Sequence, residues 1–222
     1  MGHHTLQMHV KQFLYKAMHG TQKVGKYWRH IPENEQRKFC TTCGTTESME
    51  HILTNCQATP RRLIWSLTED LWPHEQDLWP VISIGTILGC GSITPPNQER
   101  QENLDKGERP HQRRKMQGVG HLLQILLSEV AHLIWALRCK RVIGNPDHAH
   151  NDREIRMHWL RAINTRLTED KIIATKIKCD DRTIQLVKAT WEPILNQFMD
   201  TPNNWIHNRE VLGGRRCRNM QL

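Results

Sequence analysis

The chain has 222 residues, 37% of them hydrophobic, with 31 Lys plus Arg against 23 Asp plus Glu and a formal net charge of +8. That hydrophobic share supplies a real core and excludes a tail or linker, while the basic balance favours polyanionic partners, RNA or DNA, although no dense basic run concentrates the charge. Of the seven Cys only Cys40, Cys43 and Cys56 lie close together, with Cys90, Cys139, Cys179 and Cys217 scattered, so a disulfide framework is not expected. There is no apolar signal-peptide core and no run of about 18 apolar residues, so no membrane association is expected and the protein reads as intracellular, nuclear or cytoplasmic.

In chain order, Leu6, Val10, Phe13, Leu14, Ala17 and Met18 recur at helical spacing before Gly20, which predicts a first helix. Val24, Tyr27, Trp28 and Ile31 fit a short helical turn or loop closed by Pro32. After the first two cysteines, the hydroxyls of residues 45–48 can cap a short helix through Met49, Ile52 and Leu53, which places His51 on a helical scaffold. Thr59-Pro60 opens a helix with Leu63, Ile64, Leu67 and Leu71 as its buried stripe, ended by Trp72-Pro73. Periodicity does not separate helix from strand for Ile82, Ile84, Ile87 and Leu88.

Residues 89–118 are poor in apolar side chains and read as a mobile linker or insertion. A long helix follows, with Val119, Leu122, Leu123, Leu126, Leu127, Val130, Leu133, Ile134 and Leu137 three and four apart. Gly144-Asn145-Pro146 breaks the chain. A second helix then carries Ile155, Trp159, Ala162, Ile163 and Leu167, with Arg153, Arg156, Arg161 and Arg166 on its other, solvated face. Asp180-Asp181 caps a third, with Ile184, Val187, Trp191, Ile194, Leu195 and Phe198 inward and Pro193 expected to kink or shorten it. The fold class is therefore mainly α: a zinc-binding helical module over 1–88, the linker, a bundle-like helical region over 119–210 and a frayed tail over 211–222.

The chemistry concentrates in C-x2-C-x7-H-x4-C, formed by Cys40, Cys43, His51 and Cys56. A tight Cys-x-x-Cys turn lets two thiolates reach one tetrahedral ion at about 2.3 Å, and a His and a Cys from the next element close the shell. A closed shell has no open position for a reactive water, so a single structural zinc is expected, coupled to the folding of residues 24–72. The alternatives are clustered buried thiols and a redox Cys-x-x-Cys pair. The redox pair lacks a βαβ context and leaves His51 and Cys56 unexplained. Arg37 and Lys38, just before the turn, would lower the thiol pKa in any of these readings.

Glu50-His51 and Asp147-His148-x-His150 are acid/histidine neighbours that a chain with fourteen His produces by chance, and the second reads as an exposed turn. No phosphate-binding loop, nucleophile elbow or H-E-x-x-H motif occurs, so no catalytic residue and no small-molecule substrate are expected. Arg61 and Arg62, beside Cys56, with Trp28 or Tyr27 as a stacking surface, and Arg156 on the arginine face are the candidate nucleic-acid contacts.

Several stretches resemble the reverse-transcriptase zinc-binding region that follows ribonuclease H in fungal non-LTR retrotransposon polyproteins. They are Gln12-Phe13-Leu14-Tyr15-Lys16-Ala17-Met18-His19-Gly20, Tyr27-Trp28-Arg29-His30-Ile31-Pro32, the Cys/His cluster with Glu47-Ser48-Met49-Glu50-His51-Ile52-Leu53, and Gly85-Thr86-Ile87-Leu88-Gly89-Cys90-Gly91. The likeness continues through Ser128-Glu129-Val130-Ala131-His132-Leu133-Ile134-Trp135-Ala136-Leu137-Arg138-Cys139 and Ala162-Ile163-Asn164-Thr165-Arg166-Leu167-Thr168. The resemblance implies a nucleic-acid-associated accessory region with Cys40, Cys43, His51 and Cys56 in the zinc-ligand positions. In such polyproteins the polymerase and ribonuclease H carboxylates lie upstream. Only 39 residues precede Cys40, so the expectation is a non-catalytic, separated C-terminal piece. The alternative function is a structural or interaction fragment whose zinc only stabilises the fold and whose helices over 119–198 dock a protein partner.

Overall fold

The computed structural model describes residues 6–92, 109–144, 150–176, 180–198, 202 and 204–207. Six α-helices organise them: α1 (Met8–Met18), α2 (Thr59–Leu71), α3 (Ile84–Leu88), α4 (Arg109–Cys139), α5 (Asp152–Thr175) and α6 (Asp181–Phe198). Between α1 and α2 the chain runs through 3-10 turns at Gly25–His30 and Glu35–Lys38, then a wider π-helical turn at His51–Asn55. The described residues hold no strand, only the bridge between Phe39 and Thr46. The mainly α reading holds.

α4 is the central rod. It packs against α6, α5, α2 and α1, and its apolar stripe from Val119 to Leu137 is buried except at Leu133, which is half-buried. Val10, Leu53 and Ile64 from one end of the chain share a continuous core with Leu126, Trp159 and Trp191 from the other. Residues 6–88 therefore bury their apolar faces on the same helices as the C-terminal half. Within Gln112–Gly144 one 18-residue window reaches a mean hydropathy of 1.4, long and apolar enough to cross a membrane by composition, but 67% of that window is buried inside the protein.

Caps and breakers sit where their chemistry directs. Ser83 accepts the Thr86 N–H and starts α3, which resolves the 82–88 ambiguity in favour of helix. Asn151 and Glu154 form a reciprocal capping box at α5, and Asp180 accepts the Thr183 N–H at 2.9 Å at the start of α6. Buried indoles find partners: Trp159 donates to Thr68, Trp191 to Asp170 and Trp205 to Glu192.

Four expectations change. The linker ends sooner, because α4 starts at Arg109; residues 93–108, like the expected tail over 211–222, lie outside the described set. Gly118 lets this stretch pack on α6: a Cβ there would lie 2.5 Å from the backbone of Ala189, so only glycine admits α6 this closely. Pro193 does not shorten α6, which runs through it to Phe198. The carbonyl it cannot bond, four residues back at Ala189, is the one packed on Gly118. Arg166 is not on a solvated face; it is buried and bonds Asp170 at 2.8 Å. Met18 is exposed.

Two buried titratable groups on α4 oppose each other in pH. Burial pushes the Glu129 carboxyl up to about 7, with Arg166 resisting and Glu169 and Asp170 adding to the rise. Burial pushes His132 down to about 4, helped by His9. The Glu129 contribution is complete below about pH 4.5 and is lost as pH rises through 7; the His132 contribution is complete above about 6.5 and is lost as pH falls through 4. The two slopes partly cancel between pH 4.5 and 6.5. Glu129→Gln is expected to remove one of them and raise stability at pH 8 by up to about 3 kcal/mol, measured by urea unfolding across pH. An unchanged pH profile would show that Glu129 is ionised without cost.

Candidate metal centre

The local chain explains why four ligand atoms converge. Residues 40–44 close a tight turn in which the Gly44 N–H donates to the Cys40 carbonyl and the Cys40 N–H to the Thr45 carbonyl, both at 2.8 Å. Ser48 then accepts the His51 N–H at 3.0 Å and starts the helical turn, as a hydroxyl cap should. The Cys56 N–H donates to the His51 carbonyl at 2.7 Å, a five-residue span that sets these two ligands one wide turn apart.

The result is a Cys3His group within metal-binding distance: the candidate ligand atoms of Cys40, Cys43, His51 and Cys56 all lie within 4.8 Å of one another. The Cys40–Cys56 and Cys43–Cys56 sulfur separations are 3.6 and 3.9 Å. Tetrahedral ligation at about 2.3 Å per sulfur requires about 3.8 Å between sulfurs. The match extends to His51, whose Nε2 is buried without a hydrogen-bond partner. A two-cysteine redox turn requires neither the third sulfur nor this histidine.

Hydrogen bonds to sulfur add a second layer. The Gln57 N–H donates to Cys43 Sγ at 3.3 Å and the Ala58 N–H to Cys56 Sγ at 3.4 Å. The Gln57 bond is the main reason the Cys43 thiol sits below its ordinary pKa, with smaller help from Cys40, Cys56 and Arg61 against burial. Burial instead pushes Cys56 up to about 12, and its sulfur neighbours add to the rise. A coordinating divalent cation overrides such a rise, since it deprotonates a thiol outright. The cation beside the sulfurs is Arg61, whose Nε donates to the Cys56 carbonyl at 2.6 Å. Arg37 and Lys38 lie instead over the rings of Trp28 and Phe39.

The loop is fastened to the helical core. Leu53 is fully buried and its carbonyl accepts the Trp65 indole N–H of α2 at 2.8 Å. Glu47 and Arg138 of α4 form a buried bidentate ion pair, and Arg141 donates to Thr42 at 3.2 Å. Gly25, at φ 49, lies against the Glu47 carbonyl so closely that a Cβ would fall 2.1 Å from that oxygen, which pins the Gly25–His30 turn to the metal loop.

The other candidates fare differently. Arg62 is exposed and Arg61 and Arg156 are half-buried. Trp28 is buried, and its indole donates to the Lys23 carbonyl at 2.9 Å, so it offers no stacking face. Its neighbour Tyr27 is 44% exposed and Phe39 is 38% exposed. Lys23 and Lys38 sit over these two rings at 5.6 and 4.6 Å. His150 is buried rather than on an exposed turn, while Asp147 and His148 lie outside the described residues. Sequence reasoning missed Glu47 and Arg138; nothing local links residues 91 positions apart. No family model, curated protein or solved structure matches the chain.

Proposed function

We propose that the Cys3His group holds one structural zinc and that the zinc-held loop presents a nucleic-acid-binding surface. On this reading the protein is a non-catalytic accessory module of the kind that follows ribonuclease H in non-LTR retrotransposon polyproteins, working in a reducing intracellular compartment. The convergence of three sulfurs and one unpartnered imidazole nitrogen supports the metal. Thiolate with imidazole in a tetrahedral set is zinc chemistry, and four protein ligands leave no position for substrate.

The nucleic-acid part rests on Tyr27 and Phe39. Both are exposed aromatic rings carrying a lysine, Phe39 next to Cys40 in the chain and Tyr27 in the turn that packs through Gly25 on Glu47, the pairing of stacking face and cation that suits a single strand. Fluorescence anisotropy with mixed-sequence single-stranded RNA or DNA is the test. Association at low salt should weaken steeply as salt rises, because phosphate contacts release counterions, and Tyr27→Ala should cost about tenfold or more. No association at 50 mM salt would overturn the reading.

A further inference from the structure

Between the metal loop and the end of α4 lies a cavity of about 240 Å³, open to solvent along a rim that includes Thr42 and Thr59. Three arginines line it: Arg61 on the first turn of α2, Arg138 at the end of α4 and Arg141 on the turn after it. The N-terminus of the thirteen-residue α2 forms another part, and its N-cap residue, Ala58, has no side-chain acceptor for the first-turn N–H groups. Such a helix end attracts anions.

Arg138 supplies an independent sign of a missing ligand. It is only 6% exposed; its Nε and Nη2 are taken up by Glu47, its guanidinium carbon lies 5.4 Å from the Trp135 ring centre with the Cys139 thiol alongside, and its Nη1 is buried with no hydrogen-bond partner of its own. A buried guanidinium N–H with no acceptor is costly, so one is expected to be supplied from outside the chain. Glu47 is the carboxylate on the wall and its charge is already matched by Arg138; Arg61 faces the cysteine sulfurs, and Arg141 is a further positive charge on the wall.

We propose that this cavity binds a phosphate group, with Arg138 and Arg141 on one side and Arg61 with the N-terminus of α2 on the other. A tetrahedral oxyanion has enough acceptors for guanidinium forks and backbone N–H groups together, and arginine is the side chain suited to hold it. The site rests on the nucleic-acid reading only for the source of the phosphate. A strand backbone and a free phosphorylated compound offer the same group.

Titration of the full-length protein with inorganic phosphate, followed by amide shifts of Thr59 and Arg61 in NMR spectra, tests the site without nucleic acid. Saturable shifts are expected. Arg141→Gln should weaken them about tenfold, Arg61→Gln should do the same from the opposite wall, and Arg62→Gln, one residue outside the cavity, should leave them unchanged. A second titration with single-stranded oligonucleotide separates the sources. Competition with phosphate and the same loss in Arg141→Gln assign the group to a strand; phosphate saturation with no effect of Arg141→Gln on oligonucleotide binding assigns it to a free compound. Absence of saturation, or equal weakening by Arg62→Gln and Arg141→Gln, would overturn the proposal.

Discussion

Stripping the metal with a strong chelator is expected to cost about 4 kcal/mol of unfolding free energy relative to protein held at free zinc a thousandfold above its dissociation constant. The loss should be uneven. The turn carrying the cysteines packs least on the helices: Cys40, Cys56 and Ala58 form a small separate cluster, while Met49, Ile52, Leu53 and the Glu47–Arg138 pair tie the middle of residues 39–58 to the large core. Hydrogen exchange should therefore show the amides of this loop losing protection first, while those of α4, α5 and α6 retain theirs. Cys43→Ser should behave as the chelated protein does. Cys43 is the informative position because its thiol is half-buried, so the loss of packing is small, whereas Cys40 and Cys56 are buried and would confound the two effects. Equal stability with and without chelator would remove the metal from the account of the fold.

Glu47→Gln carries the second large expected effect. Glu47 and Arg138 are both nearly inaccessible, and removing one charge leaves the other buried without compensation, which costs about 3–5 kcal/mol. The double variant Glu47→Gln/Arg138→Met should recover much of that loss, since an apolar side chain leaves no uncompensated charge. A double-mutant cycle by urea denaturation measures the coupling. Additive losses would mean that the pair holds the loop to α4 no better than two unrelated polar groups.

The pattern of what was legible follows the range of each interaction. The stripes of α1, α2, α4, α5 and α6 repeat every three or four residues, so a local reading finds them. The convergence of the Cys3His group is legible for the same reason, because C-x2-C-x7-H-x4-C is compact enough for a turn and one helical element to close. Contacts over long range were not legible. Gly118 looks like a linker residue until Ala189 of α6 lies against it. Arg138 meets Glu47 from 91 positions away, a pairing that no local pattern shows. Arg166 did offer a local signal, an acid four residues on at Asp170, but a pair at that spacing is equally common on exposed helices; only burial under the core distinguishes it. Trp28 and Tyr27 are adjacent and both aromatic, and which one turns inward depends on how the Gly25–His30 turn packs on the metal loop.

The most direct measurement is elemental analysis of protein purified without added metal, comparing the wild type with Cys43→Ser. The account predicts one zinc per wild-type chain and little or none in the variant. A folded wild type without metal would contradict it and reduce Cys40, Cys43 and Cys56 to ordinary thiols that happen to meet.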